Sequence, residues 1–201
     1  MLTINGIRTA TTEEIPRTQL TQTQLATYTI PMHQIKTWDN RAVNLPAAAA
    51  NDDMGLITGT FGTNVPVLQS EDFQGIALAC KYCAFQFALP PEYDAGQTVT
   101  LRLRCAMITT VADDAATIDV ECFESDRDGV AAGGPADICA TGAQSMNSLV
   151  PADIDFTITP TALAPGDLLD IRLTFAGNDT VGAGASVSQI SQIEMLCDIR
   201  G

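Results

Sequence analysis

The chain has little of what most enzymes and nucleic-acid-binding proteins need. Its 201 residues contain one histidine and one tryptophan, and ten lysines and arginines stand against 24 aspartates and glutamates, a net charge of −14. A field of that sign repels phosphate backbones and anionic lipid head groups, so we expect no direct binding to nucleic acid or membrane. Long apolar runs and a secretory leader are also missing, which predicts a protein made in the cytoplasm.

Residues for catalysis are scarce as well. His33 is the only histidine, and no nucleophile elbow accompanies it, so a Ser-His-Asp or Cys-His arrangement is not expected. Cys80 and Cys83 have CxxC spacing, but no second pair completes a zinc site, and residues three apart on a strand point to opposite faces. The glycine-rich segment 177–184 lacks the lysine of a phosphate-binding loop. We predict no enzyme activity, no catalytic or metal-binding residue and no cofactor.

Acidic pairs give one weak candidate for a cation site. Residues 124–129 carry oxygen side chains at alternate positions before a glycine, as the first half of a calcium loop does. Pro135 stands where the bidentate glutamate of such a loop would fall, so a solvated turn is the preferred interpretation. The pairs Asp52-Asp53 and Asp113-Asp114 are interpreted as ordinary loop charges.

The clearest positive signal is alternation of apolar and polar residues. Val99, Leu101, Leu103 and Cys105 alternate with polar residues, which is typical of a half-buried strand. Similar patterns and intervening turn residues predict strands at 76–89, 97–111, 116–124, 136–143, 153–159, 168–175 and 189–199. No segment has a helical apolar stripe of three turns. The sequence therefore predicts an all-β, antiparallel β-sandwich, most simply a jelly-roll.

An immunoglobulin-like sandwich is less supported. The only tryptophan, Trp38, precedes the cysteine-bearing strands and does not lie between two of them. The six cysteines are expected to be reduced in a cytoplasmic protein, and Cys105 and Cys122 lie on the apolar phase of their strands. We expect buried thiols that pack as small hydrophobic side chains.

The N-terminal third differs in composition from the remainder. Residues 18–25 form a polar, uncharged tract, and period-two runs are few before Phe73, although 25–30 and 34–38 are each compatible with a short strand. The predicted organisation is an extended arm with an irregular segment over 1–70 and a sandwich domain over 71–201. Such an arm is expected to gain its order from a neighbouring subunit, and deletion of residues 1–40 is expected to leave the sandwich folded.

Two segments carry a resemblance to a known group of proteins. Residues 85–103 contain an aromatic strand and the corner Pro91-Glu-Tyr-Asp-Ala-Gly96, and residues 163–173 contain the turn Pro165-Gly-Asp167. Over residues 76–199 the chain resembles small virion proteins of tailed bacteriophages. The resemblance implies a jelly-roll and a role as a head decoration or cement protein on the capsid exterior. Its partner would be the major capsid protein, and such proteins are commonly homotrimers at junctions between capsid subunits.

A second class of function stays open at this point. The same fold serves phage fibres, spikes and carbohydrate-binding modules, in which loops recognise a host surface. That hypothesis requires exposed aromatic side chains near Tyr93 or Phe123.

Overall fold

The computed structural model describes residues 3–4, 7–8, 23–109, 116–125, 136–161, 163–180 and 184–200; at 3–4, 7–8 and 125 it describes the backbone. Within these residues the structure consists of short and long strands and one 3₁₀ turn at Met32–Gln34. The strands are β1 (Thr3–Ile4), β2 (Ile7–Arg8), β3 (Thr23–Thr29), β4 (Gly55–Ile57), β5 (Val67–Gln69), β6 (Ile76–Ala88), β7 (Val99–Met107), β8 (Ala116–Ser125), β9 (Gln144–Ser145), β10 (Ala152–Ile158), β11 (Leu168–Asp179) and β12 (Ser188–Arg200). None of the described helices is long and apolar enough to cross a membrane.

The strand order is that of a jelly-roll. The first sheet has the order β10-β7-β12-β5-β4, and β3 also pairs with β12. The second sheet has the order β6-β11-β8-β9, and β1 and β2 form a separate small ladder. The last eight strands form the antiparallel pairs β5–β12, β6–β11, β7–β10 and β8–β9. The strands β5 to β8 thus pair in order with β12 to β9. Such pairing is a long hairpin rolled into two sheets, as expected of a jelly-roll.

The core lies between the two sheets and is filled by every second side chain. In β11 the inward residues Leu169, Ile171, Leu173 and Phe175 are fully buried, whereas the residues between them are half-buried. In β7 the inward Leu101 and Leu103 are also fully buried. Because both strands have neighbours on each side, their backbone groups are paired and their inner faces are covered. The predicted β-sandwich and its alternation are confirmed.

The segment between β3 and β5 belongs to this same core, which corrects the predicted boundary at residue 70. Ile30, Ile35, Met54 and Leu68 are buried and pack in the hydrophobic cluster of the sandwich. The strand β5 is itself a member of the first sheet. Short elements of this kind leave almost no period-two signal, which is why composition alone placed the segment outside the domain.

The same segment covers an edge of the second sheet. Lys36 exchanges backbone hydrogen bonds with Ala84 of β6 at 2.9 and 3.0 Å. The amide of Tyr82 donates to the carbonyl of Asp52, and the amide of Met54 donates to the carbonyl of Tyr82. These bonds satisfy the edge of β6 that β11 leaves free. In place of the strand predicted over 34–38, the structure has isolated bridges from residue 36 to Asn44 and Ala84.

The remaining differences from the predicted strands are local. The predicted strand 136–143 is absent; instead Cys139 forms a single bridge to Ile158, and the short β9 follows at Gln144–Ser145. Residues 110–115 and 126–135, which include Asp113-Asp114 and most of the acidic segment 124–129 with Pro135, lie outside the described residues. The other predicted strands match β6, β7, β8, β10, β11 and β12 within a few residues at each end.

Candidate functional site

The outer face of the second sheet carries a cluster of aromatic and charged side chains that we call the tryptophan groove. It is a shallow cavity of about 190 Å³, and its lining residues are Trp38, Arg41, Glu121, Phe123, Asp170 and Arg172. The strands β8 and β11 supply the last four of these residues from their outward positions. Residues 38 and 41 come from the segment that covers the edge of β6.

A tilted contact between two aromatic rings lies at the centre of the groove. The Trp38 and Tyr82 ring centroids are 5.2 Å apart at a tilt of 48°. The guanidinium carbon of Arg172 lies 5.1 Å from the Trp38 ring centroid and 5.3 Å from that of Tyr82. The indole Nε1 of Trp38 donates a hydrogen bond of 2.9 Å to Asp52 Oδ2. Cation–π contact and this hydrogen bond hold the indole in one orientation.

Two arginines neutralise the two carboxylates of the groove. Arg172 donates to Glu121 Oε2, and its cross-strand position opposite Glu121 in the β8–β11 ladder brings the pair together. Arg41 Nη2 lies 3.0 Å from Asp170 Oδ1 and 3.1 Å from Asp170 Oδ2. The groove thus presents guanidinium donors, carboxylate acceptors and ring edges side by side. These are groups that can bind the hydroxyls and apolar faces of a small polar ligand.

Burial changes the titration of two groups beside the groove. It raises the pKa of the Tyr82 phenol, with the neighbouring Cys80 thiol adding to the rise and Arg172 opposing it. Burial also raises the pKa of the Asp53 carboxyl, and Asp52 and Asp39 raise it further while Lys81 lowers it. Lys81 is itself buried on the inner face of β6, where it lies 3.0 Å from Glu71 Oε1 and donates to the carbonyl of Asn51.

A second surface, the apolar groove, lies on the first sheet where β3 ends and the β4–β5 loop returns. Its volume is about 310 Å³, and it is lined by Thr29, Ile30, Pro31, Met32, His33, Val65, Pro66, Ser191, Gln192 and Ile193. Val65 is 78% exposed, and Phe61 of the same loop is fully exposed. An exposed aromatic ring in a loop that also lines an apolar cavity marks a surface that a partner can cover.

The structure places the candidate residues named from the sequence in different parts of the fold. His33 is exposed at the rim of the apolar groove, away from the tryptophan groove. Cys80 and Cys83 lie opposite Ala176 and Leu173 of β11, which places them on opposite faces of β6 as predicted. Asp52 is more than a loop charge, because it accepts the Trp38 hydrogen bond.

Of the two aromatic residues named for surface recognition, one lies on a surface. Phe123 lines the tryptophan groove, whereas Tyr93 is buried and donates to the carbonyl of Gln97 at 2.5 Å. Across the described parts of the chain, no three histidine, cysteine, aspartate or glutamate side chains gather in a way that would hold a metal ion.

Comparison with known proteins gives a weak similarity. No protein-family model and no curated protein matches this chain. Among solved structures it is similar to the carbohydrate-binding module TmCBM61, which was solved in complex with β-1,4-galactotriose; the identity is 10%, 88% of each chain is covered, and the TM-score is 0.34. A similarity of that size carries no argument about what this chain binds.

Proposed function

We propose that this protein is a non-enzymatic structural protein of a virion, a decoration or cement protein that binds at junctions between major capsid protein subunits and stabilises the shell. In this role it is made in the host cytoplasm, joins the capsid exterior as a homo-oligomer, and contacts neither nucleic acid nor membrane. The resemblance over residues 76–199 supports this proposal, and so does the negative net charge.

The observation that carries the proposal is the exposed apolar loop between β4 and β5. Phe61 is fully exposed in this loop, and Val65 of the same loop lines the apolar groove together with Ile30, Met32 and Ile193. Burying such side chains in a protein interface gains about 1.5–3 kcal/mol each. A shell subunit that covers this loop would be held by apolar contact. Residues 58–66 contain no carboxylate that would oppose that contact.

The test is binding of the purified full-length protein to undecorated capsids, measured by co-sedimentation. We expect saturable binding by the unaltered chain and its loss in Phe61→Ser/Val65→Ser. Leu78→Ser is the matched control, since Leu78 is 70% exposed but lies on β6 of the other sheet. Absence of saturable binding at every salt concentration, or equal binding by the loop variant, contradicts the proposal.

The tryptophan groove favours a second candidate function, recognition of a glycan. Its aromatic rings and paired guanidinium and carboxylate groups suit the alternating apolar and hydroxyl surfaces of a sugar. A glycan array followed by titration calorimetry tests it. Binding that is lost in Arg41→Ala but kept in Arg104→Ala, an arginine of the other sheet paired with Asp153, supports this function. An array without signal removes it.

A further inference from the structure

The strand β3 is an edge that the described structure leaves uncovered. Its seven residues pair with β12 in continuous register from Thr23 opposite Arg200 to Thr29 opposite Glu194. Among the described residues the backbone of β3 pairs with no strand other than β12. Within the described part of the chain, one row of its amide and carbonyl groups therefore has no strand beside it and can pair with another strand.

Other edges of the two sheets are protected. The edge of β6 is covered by Lys36 and by Asp52–Met54. The free side of β10 receives the amide of Ala140 at the carbonyl of Thr157, and it carries the charged Asp153 and Asp155. The amide of Leu56 in β4 donates to the carbonyl of Pro46, and β9 has only two residues.

By contrast, β3 has none of the usual protective features. Its sequence, Thr-Gln-Leu-Ala-Thr-Tyr-Thr, contains no charge and no proline, and its register with β12 shows no bulge. Leu25 is 64% exposed on its outer face. An uncharged strand in a chain of net charge −14 is a place where two copies can meet without opposing carboxylates at the contact.

The strand is also complementary to itself. If two copies meet antiparallel with Ala26 facing Ala26 of the second copy, Leu25 lies opposite Thr27, Gln24 opposite Tyr28 and Thr23 opposite Thr29. Each of these cross-strand pairs joins uncharged side chains, and Thr–Thr pairs can form hydrogen bonds across a sheet. A contact of this kind uses the same patch on both copies and closes after two.

We propose that two copies of this protein associate through antiparallel pairing of their β3 strands, which joins their first sheets into one continuous sheet. This inference goes beyond the proposed function and does not depend on it. The resemblance to decoration proteins implies a trimer, whereas this contact produces dimers, so the measured stoichiometry separates the two expectations.

The experiment is sedimentation velocity of the full-length protein over a concentration series, with native mass spectrometry for the stoichiometry. We expect dimers for the unaltered chain and monomers for Leu25→Lys/Thr27→Lys, because the pairing places two lysines directly opposite two others. Leu78→Lys/Val150→Lys adds the same charge at two exposed apolar positions elsewhere and should remain dimeric. Circular dichroism of each variant establishes that the sandwich is folded.

A charge-swap mixture makes the test specific for this register. Leu25→Glu/Thr27→Glu should also be monomeric alone, and an equimolar mixture with the lysine variant should form a heterodimer. A monomeric unaltered chain at every concentration overturns the inference. So does an oligomer, trimer included, that the lysine variant does not dissociate, or a mixture that stays monomeric.

Discussion

The four buried cysteines are expected to make the fold less stable at alkaline pH. Burial raises the pKa of the Cys105 thiol to about 12 and that of Cys197 to about 11, and it also raises the pKa values of Cys83 and Cys122. A thiol in the unfolded chain has an ordinary pKa near 9.0. Between the unfolded and the folded pKa, the folded state holds thiol protons that the unfolded state has released. The contribution of the thiols to stability is therefore fully present below pH 8 and is lost as the pH rises.

The size of this loss follows from the thiol pKa values. At pH 10 each buried thiol lowers the free energy of unfolding by about 1.4 kcal/mol, and the four together lower it by about 5–6 kcal/mol. That loss is comparable to the whole stability of a marginal domain, about 5–15 kcal/mol. Burial also raises the pKa values of Tyr28, Tyr82 and Tyr93 above 10.0, which adds to the loss at higher pH. The thiol effect is therefore measured between pH 8 and 10.

Urea unfolding followed by circular dichroism, with a non-thiol reductant present, gives the free energy at each pH. Cys83→Ala should reduce the fall between pH 8 and 10 by about 1.4 kcal/mol. The matched control is Leu173→Ala, since Leu173 lies directly across from Cys83 and is equally buried. This control should be less stable than the unaltered chain, and the difference between the two should be the same at pH 8 and at pH 10. A stability that is constant over this range, or a slope unchanged in Cys83→Ala, refutes the reasoning.

Three further predictions concern packing, and urea unfolding checks each of them. Gly177→Ala should cost about 1–3 kcal/mol, because its Cβ would lie 2.1 Å from Phe73 Cδ2, whereas Gly142→Ala meets no atom within 4 Å and should change little. Leu103→Ala should cost about 2–5 kcal/mol and the half-exposed Leu149→Ala much less. A chain that begins at residue 41 loses β3, Ile30 and Ile35 and should be less stable than one that begins at residue 23 by at least about 3–6 kcal/mol. Equal stabilities within any of these pairs contradict the assigned burial.

The inner faces of the long strands could be predicted from the sequence because one physical constraint acts on every second residue. Every second residue from Leu169 to Phe175 and from Val99 to Cys105 must be apolar to fill the space between the two sheets, so their spacing predicts both the strand and its buried side. Lys81 is an exception, since it lies opposite Phe175 on the inner face and is compensated by Glu71. A pattern based on hydrophobicity assigns such a residue to the wrong face.

The N-terminal part of the sandwich escaped prediction for a different reason. The strands β4 and β5 have three residues each, and Lys36 forms isolated bridges, so none of them spans enough residues to show a period. Their place is determined by other strands, since β5 pairs with β12, β4 pairs with β5, and Lys36 lies along the edge of β6. Deletion of residues 1–40 is expected to be costly because it removes β3 and the core residues Ile30 and Ile35.

The tryptophan groove could not be predicted because its members are distant in sequence. Trp38, Tyr82, Glu121 and Arg172 come from four segments. The β6–β11–β8 order brings the last three together, and the pairing of Lys36 with Ala84 of β6 brings Trp38 to them. From the sequence, exposed aromatic side chains were expected near Tyr93 or Phe123, and of these Phe123 lines the groove. The other members of the groove have no signal in the sequence. Outward positions of a strand are constrained by partners across the sheet, and sequence periodicity carries no information about those partners.

The arrangement of these surfaces bears on how the proposed functions relate to one another. The exposed β4–β5 loop and β3 both belong to the first sheet and flank β12, whereas the tryptophan groove lies on the outer face of the second sheet. The lining residues of the tryptophan groove include none from β3 and none from the β4–β5 loop. Neither the proposed shell contact nor the proposed pairing of two copies therefore uses a residue that lines this groove. Attachment and ligand recognition therefore depend on different residues, and substitutions on one sheet should leave the function of the other sheet intact.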